Sequence, residues 1–243
     1  MSVIRKELDT KGYSLALGLD LPIEERARAL GEEFAREWDT LEPDKYLQGG
    51  ARFRERRYQR FYYHPQNPIF QPLRHRPYFQ SATANSYAGG IHREVAPLTP
   101  SSLRNPMLKA LLEFNFAQFP MAPDDERLGL PWEVACHQFR IIGTSNEVGE
   151  PTPEGIHRDE IDFGAIHLIS RSNVAGGNSR VYDNEKNLIA EFQLQSHLDT
   201  LFWADREVLH SVTPISPVDP SARAVRDILI LGYRCVPELL ESD

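Results

Sequence analysis

The segment Pro153-Glu-Gly-Ile-His157-Arg-Asp159 sets an imidazole and a carboxylate two residues apart, and a second imidazole, His210, follows in the apolar run Glu207-Val-Leu-His-Ser-Val-Thr-Pro214. If the first segment is extended, alternate side chains share a face, so His157 and Asp159 project into the same space. Two histidines and one carboxylate on one side of a metal leave its opposite positions open. That arrangement suits non-haem Fe(II) and leaves room for a chelating acid and O2. With eight histidines in the chain, His-x-Asp taken alone reads more readily as a surface turn.

Such a site needs a frame. Between residues 23 and 38 the apolar positions Ile23, Ala27, Leu30, Phe34 and Trp38 recur at helical spacing, with Pro22 at the start, where its missing amide proton costs nothing. A second helix is predicted over 103–119 from the stripe Leu108, Leu111, Leu112, Phe116 and Phe119, with Ser101 or Ser102 as cap and Pro120 as stop. After Pro131 the texture changes to short runs rich in β-branched and aromatic residues. These predict strands at 133–142, 163–170, 179–182, 188–193, 199–203, 208–214 and 226–234. Ala175-Gly-Gly-Asn178 and the stretch 183–187 read as hairpin turns, and regular short strands of this kind argue for a sandwich or jelly roll. The loop 143–154 runs directly into the His-x-Asp segment and reads as either a lid or a plain connection.

The chain has 243 residues, 41% hydrophobic and 26% charged, which fits one globular domain with a sizeable core. A net charge of -8 gives no general attraction for nucleic acid or anionic membranes, so the expected partner is a small molecule. One local exception is the basic, aromatic run Arg52-Phe-Arg-Glu-Arg-Arg-Tyr-Gln-Arg60. Cys136 and Cys235 form no paired framework and read as buried thiols. The first residues lack an apolar signal core, and no run approaches the ~18 apolar residues of a membrane helix. A cytoplasmic enzyme is expected, its oligomeric state left open.

Several motifs in order sharpen the reading: Pro153-Glu-Gly-Ile-His-Arg-Asp159, then Ile166-His-Leu-Ile-Ser-Arg-Ser-Asn-Val-Ala-Gly-Gly-Asn-Ser-Arg-Val-Tyr-Asp183, then His210-Ser-Val-Thr-Pro-Ile215 and Arg226-Asp-Ile-Leu229. With Arg52–Phe61 and Asn85-Ser-Tyr-Ala-Gly-Gly90 upstream, the sequence resembles the bacterial iron/2-oxoglutarate dioxygenases that hydroxylate free amino acids, typified by L-isoleucine dioxygenases. The resemblance implies a mainly β protein with flanking helices, a double-stranded β-helix or cupin-like jelly roll. In it the part before about residue 130 would pack on a catalytic core of about 131–236. It also implies Fe(II) held by His157, Asp159 and His210, with 2-oxoglutarate and O2 as cosubstrates and the side chain of an aliphatic L-amino acid, or a derivative, as the target.

The distal carboxylate of 2-oxoglutarate calls for an arginine, whose planar fork pairs bidentately with it. Related jelly-roll oxygenases carry that arginine on the strand after the second histidine. This leaves Arg226, which opens the apolar run Ile228-Leu-Ile-Leu231, and Arg223, which follows Pro220-Ser221 in a loop-like stretch. Thr213 offers a hydroxyl near His210. For the substrate, Gln138 and Arg140 share one face of strand 133–142, Tyr58 and Arg60 share one face of the basic run, and Asn85 and Tyr87 precede Gly89-Gly90. Arg140 reads equally as a salt-bridged surface group, and the basic run equally as a charged edge strand. His64, His75, His92, His137, His167 and His197 have no partner at ligand spacing, although His137 and His167 fall in predicted strands. A cupin isomerase or hydrolase would usually show His-x-His with a later Glu and a further His, which this chain lacks. A jelly roll that binds ligand without turnover would not explain a complete set of three ligands.

Overall fold

The computed structural model describes residues 1–83 and 85–239. In chain order its helices and strands are α1 (Val3–Lys11), β1 (Tyr13–Ala16), α2 (Glu25–Ala29), α3 (Gly31–Arg36), β2 (Glu42–Pro43), β3 (Arg54–His64), β4 (Asn67–Pro72), α4 (Pro100–Arg104), α5 (Pro106–Gln118), β5 (Trp132–Gly143), β6 (Phe163–Ser172), β7 (Val174–Gly176), β8 (Ser179–Tyr182), β9 (Leu188–Phe192), β10 (Thr200–Ala204), β11 (Leu209–Val212), β12 (Ile215–Pro217) and β13 (Ala224–Cys235). Period-2 patterning located the strands after Pro131 well. The helices end where local chemistry breaks them. The stripe at 23–38 divides at Leu30 into α2 and α3, yet Ala27, Phe34 and Trp38 still face the core. The segment 103–119 is split by Pro106, which drives Asn105 out of helical geometry (φ -69, ψ 125), and the Asn105 side chain then caps the Met107 N–H. The cap before α4 is Thr99, not Ser101 or Ser102.

One large antiparallel sheet runs β1-β10-β6-β13-β5-β3-β2, with β4 alongside β3, and a smaller sheet runs β11-β8-β9. Between them, Ile166, Leu168, Leu201, Trp203 and Ile228 of the large sheet meet Val181 of the small one. This is the expected jelly roll. The other face of the large sheet carries the helices, where Phe34, Trp38, Leu111 and Phe116 pack on Val134, Cys136, Leu229 and Tyr233. Strands β5 and β13 are therefore buried on both faces. Among the early strands, β3 lies deep in the large sheet, paired along β5 from Arg54 opposite Ile141 to Tyr63 opposite Trp132.

Of the two predicted hairpins, 183–187 joins the paired strands β8 and β9, with Asp183 accepting the Glu185 and Asn187 N–H groups. Gly176-Gly177 is not a hairpin. Both residues have positive φ, and they carry the chain from β7, which pairs with β12, into β8 of the small sheet. Cys136 is buried, as expected, whereas Cys235 is only half-buried; both are free thiols. No helix among the described residues is long and apolar enough to cross a membrane.

Gly164 of β6 lies opposite Trp203 of β10, and a Cβ added there would fall 2.1 Å from the indole. The ring has no room to yield, because it is fully buried and packs 4.8 Å from the His210 ring. Gly164→Val is expected to lower stability by about 3 kcal/mol, at the upper end of overpacking costs, read as a lower thermal unfolding midpoint. An unchanged midpoint would remove Trp203 as the support of that wall.

Candidate metal centre and its cavity

His157 lies outside the strands. It belongs to an extended connection before β6 and is tied to His210 of β11 by reciprocal backbone hydrogen bonds, N–H to carbonyl in both directions at 3.1 Å. Residues bonded in this way face each other directly, so their side chains leave the backbone on the same side. The two rings sit with centroids 4.4 Å apart. Asp159, two residues on, turns its carboxylate between them, Oδ1 3.6 Å from His157 Nε2 and Oδ2 3.4 Å from His210 Nε2.

The ligand atoms of these three residues all lie within 4.8 Å of one another. Donors at right angles around a first-row ion at about 2.1 Å are roughly 3 Å apart, so a small inward movement closes this set on a metal. His157 Nδ1 is 3.0 Å from the Gly155 carbonyl, a bond that places its proton there and leaves Nε2 free to coordinate. Burial works against a charged His157 ring, yet Asp159 and the neighbouring Glu154 raise its pKa to about 9. The two histidines hold the Asp159 carboxyl far below its usual range despite its burial. The three donors thus favour a cation between them, and the set of two imidazoles and one carboxylate fits Fe(II).

Behind Asp159 stands Asp205, which sequence patterning did not single out. Its buried carboxylate accepts the Asp159 N–H at 3.1 Å, the Ile161 N–H at 3.3 Å and the Trp203 indole N–H at 3.1 Å. Burial and the nearby Asp159 charge raise its pKa. It fixes the backbone that carries the Asp159 carboxylate.

The triad opens into a cavity with one apolar wall (Ile161, Ile166, Val212, Ile228 and Ile230) and one cationic wall (Arg54, Arg56 and Arg93). Asp44 pairs with Arg54 at 2.8 Å and with Arg56 at 3.4 Å, while Arg93 donates to Gln80 and lies over the Tyr78 ring. Three guanidinium groups against one carboxylate leave this wall net positive. His137 completes it, its pKa pushed well down by burial and by Arg56 and Arg93, so the neutral ring accepts from Arg56 at Nδ1, 3.2 Å away. Glu154 lines the same cavity beside the triad. The loop 143–154 is pinned along β12 and β11: Gly149 exchanges backbone bonds with Ile215, and the Thr152 hydroxyl bonds both backbone groups of Val212.

The expected substrate residues fare unevenly. Gln138 and Arg140 do share a face of β5, but it is the face turned to the helices. Gln138 donates to Ser102, and Arg140 forms a bidentate pair with Asp227 and a further bond to Asp39. His137 and Phe139 face the cavity instead. On β3, Arg60 and Tyr58 share the face of Arg54 and Arg56 but lie farther along the strand, outside this cavity. Arg60 pairs with Glu133 at 2.7 Å, and Tyr58 stacks on His137 from behind; Arg54 and Arg56 reach the cavity. Asn85 does line it, although its Oδ1 is committed to the Tyr87 and Ala88 N–H groups. Tyr87 does not line it, and its hydroxyl accepts the Gln48 N–H.

Among the cosubstrate candidates, Thr213 lies on the side of its segment away from His210 and Val212, its hydroxyl accepting the Asn178 N–H. Arg223 is exposed. Arg226 is fully buried on the inward face of β13, two residues before cavity-lining Ile228. His167, the other strand histidine, faces the helices and bonds Asn115 and Thr200.

The chain matches the 2OG-Fe dioxygenase family over residues 35–232. It is 27% identical over 229 residues to L-isoleucine-4-hydroxylase of Bacillus thuringiensis, spanning 93% of this chain and 92% of that protein. It is 29% identical over 164 residues to 3(1)-hydroxy-L-isoleucine 4-dioxygenase of Pantoea ananatis, spanning 65% and 64% respectively. Among solved structures, a bsmA homolog from Methylobium petroleophilum PM1 superimposes with a TM-score of 0.85 at 33% identity, covering 96% of this chain and 94% of that one.

Asp205→Asn places an amide donor among backbone and indole N–H groups that now find an acceptor. Metal affinity is expected to fall about 10- to 100-fold, as for other supports of metal ligands, with unchanged circular dichroism. Titration with Mn(II) by calorimetry checks this, and wild-type affinity in the variant would show that Asp159 needs no such support.

Proposed function

The chain belongs to the 2OG-Fe dioxygenase family, and on that premise we propose that it hydroxylates the aliphatic side chain of a free L-amino acid. The observation that carries this reading is the distribution of charge around the cavity. A net positive wall of Arg54, Arg56 and Arg93 receives the α-carboxylate, Glu154 receives the α-ammonium, and the isoleucine-lined wall takes the hydrocarbon side chain beside the triad. Each group of a zwitterion then meets its complement, which a purely apolar or purely anionic substrate would not achieve. The relatives that act on isoleucine and hydroxyisoleucine point to the same substrate class.

In this reading His157, Asp159 and His210 hold the iron, and Arg226 holds the distal carboxylate of 2-oxoglutarate. Iron held there would activate O2, the oxidant: one of its atoms would enter the substrate as a hydroxyl group, and the other would enter succinate as 2-oxoglutarate loses CO2. The chain's own part is to hold the three donors on one side and the cosubstrate at one end of the barrel. It also keeps one C–H of the substrate in a fixed place, where orientation rather than new chemistry sets the rate. Trp203, Ile166 and Val212 limit water around that point.

Fe(II) and 2-oxoglutarate added without oxygen should give a weak visible absorption band. Admission of O2 should then release succinate, faster with aliphatic L-amino acids than without, and add one oxygen to their mass. N-acetyl and methyl ester forms of the best substrate should fail, and Arg93→Leu should raise KM at least 10-fold, about 1.4 kcal/mol of lost binding. Equal turnover of esters and free acids would sink the zwitterion reading. Undiminished activity in Asp159→Ala would sink the ligand set.

A further inference from the structure

The arginine assigned to the cosubstrate does not stand alone. Arg226 lies directly opposite Arg171 of β6 in the antiparallel register, so both side chains leave the sheet on the same face. All three guanidinium nitrogens of Arg226 are buried without a hydrogen-bond partner, and its side chain is 0% exposed. Arg171 Nη2 donates to the carbonyls of Val174 and Gly176, which aim the group inward, while its Nη1 is buried and also without a partner.

Gly177 packs closely against both arginine side chains. A Cβ there would sit 3.2 Å from Arg171 Nη1 and 3.3 Å from Arg226 Cδ, and its φ of +71 favours glycine in any case. No carboxylate among the described residues pairs with either arginine. Asp227, the nearest acid along β13, faces the other side of the sheet, where Arg140 and Ser170 engage it. Burial and the neighbouring Arg171 lower the Arg226 pKa to about 10.

Two buried guanidinium groups repel each other and lack solvation, so both are stabilised by one anion shared between them. A carboxylate offers about four acceptor positions, enough for the two-pronged fork of Arg226 and for one N–H from Arg171. Resting on the proposed cosubstrate role of Arg226, we infer that Arg171 is a second anchor for the distal carboxylate of 2-oxoglutarate, forming a two-guanidinium clamp with Arg226. The Val174 and Gly176 carbonyls hold one prong of Arg171 in place, and the other is left for the ligand. The clamp recognises a terminal carboxylate at a set depth and has no counterpart for the methyl end of a monoacid.

Calorimetry on the Mn(II)-loaded protein, which reads binding and not turnover, separates the possibilities. Wild type should bind 2-oxoglutarate at least 100-fold more tightly than 2-oxobutyrate, which keeps the chelating end and lacks the distal carboxylate. Arg171→Gln should lose at least 10-fold in affinity for 2-oxoglutarate while binding 2-oxobutyrate and Mn(II) as wild type does. Arg171→Lys, which keeps the charge but not the planar fork, should fall between the two and serves if the glutamine variant does not fold. Wild-type affinity for 2-oxoglutarate in either folded variant, or an equal loss for both acids, would overturn the clamp. Failure of wild type to prefer 2-oxoglutarate at all would instead overturn the cosubstrate role of Arg226 on which the clamp rests.

Discussion

Two backbone hydrogen bonds, from His157 to His210 and back, fix the position of nearly everything else in the site. They join a connection that precedes β6 to a strand of the opposite sheet, and so bring together residues that are far apart in the chain. Because the pair is directly opposed, neither ring needs its own steering loop, and one additional extended residue delivers Asp159 to the gap between them. The surrounding groups follow from that placement. Asp205 grips the backbone of Asp159, Trp203 closes against His210, and Gly164 leaves the indole room to do so.

Much of this was legible in the sequence, because strand alternation and ordered ligand motifs are local signals. The His157, Asp159 and His210 set needed only the spacing and the flanking text. Alternation also placed Gln138 with Arg140, but it states that two side chains share a face without stating which face. On β5 both faces are buried, one under helices and one over the cavity, so the usual contrast between polar and apolar positions vanishes. The same limit leaves Arg60 indistinguishable in sequence from Arg54 and Arg56, the residues of that face that line the cavity. Only the register of β3 against β5 shows how far along the strand the cavity lies. Glu154 and Asp205 left no pattern to read, since one sits in a loop and the other acts on a backbone N–H. The helix breaks at Leu30 and Asn105 reflect tertiary fit and one proline, both of which interrupt a stripe without erasing it.

The charge of the molecule is divided between outside and inside. The whole chain carries a net charge of -8, yet arginine lines the cavity on one wall and meets arginine at the end of the barrel. Like charges gathered in a poorly solvated interior destabilise the empty protein, and ligands that bring negative charge offset that penalty. A neutral His137 in the midst of the arginines keeps the penalty from growing further.

The placement of β3 divides the cavity between two stretches of the chain. The strand comes from the early part of the chain, before the helices, yet it lies beside β5 and supplies Arg54 and Arg56 to the cavity, with Arg93 following from the next connection. The three candidate metal ligands all come from beyond position 150. Substitution in the early stretch can therefore change the charge of the cavity without touching the triad, whereas the isoleucine wall and Glu154 share the later stretch with it.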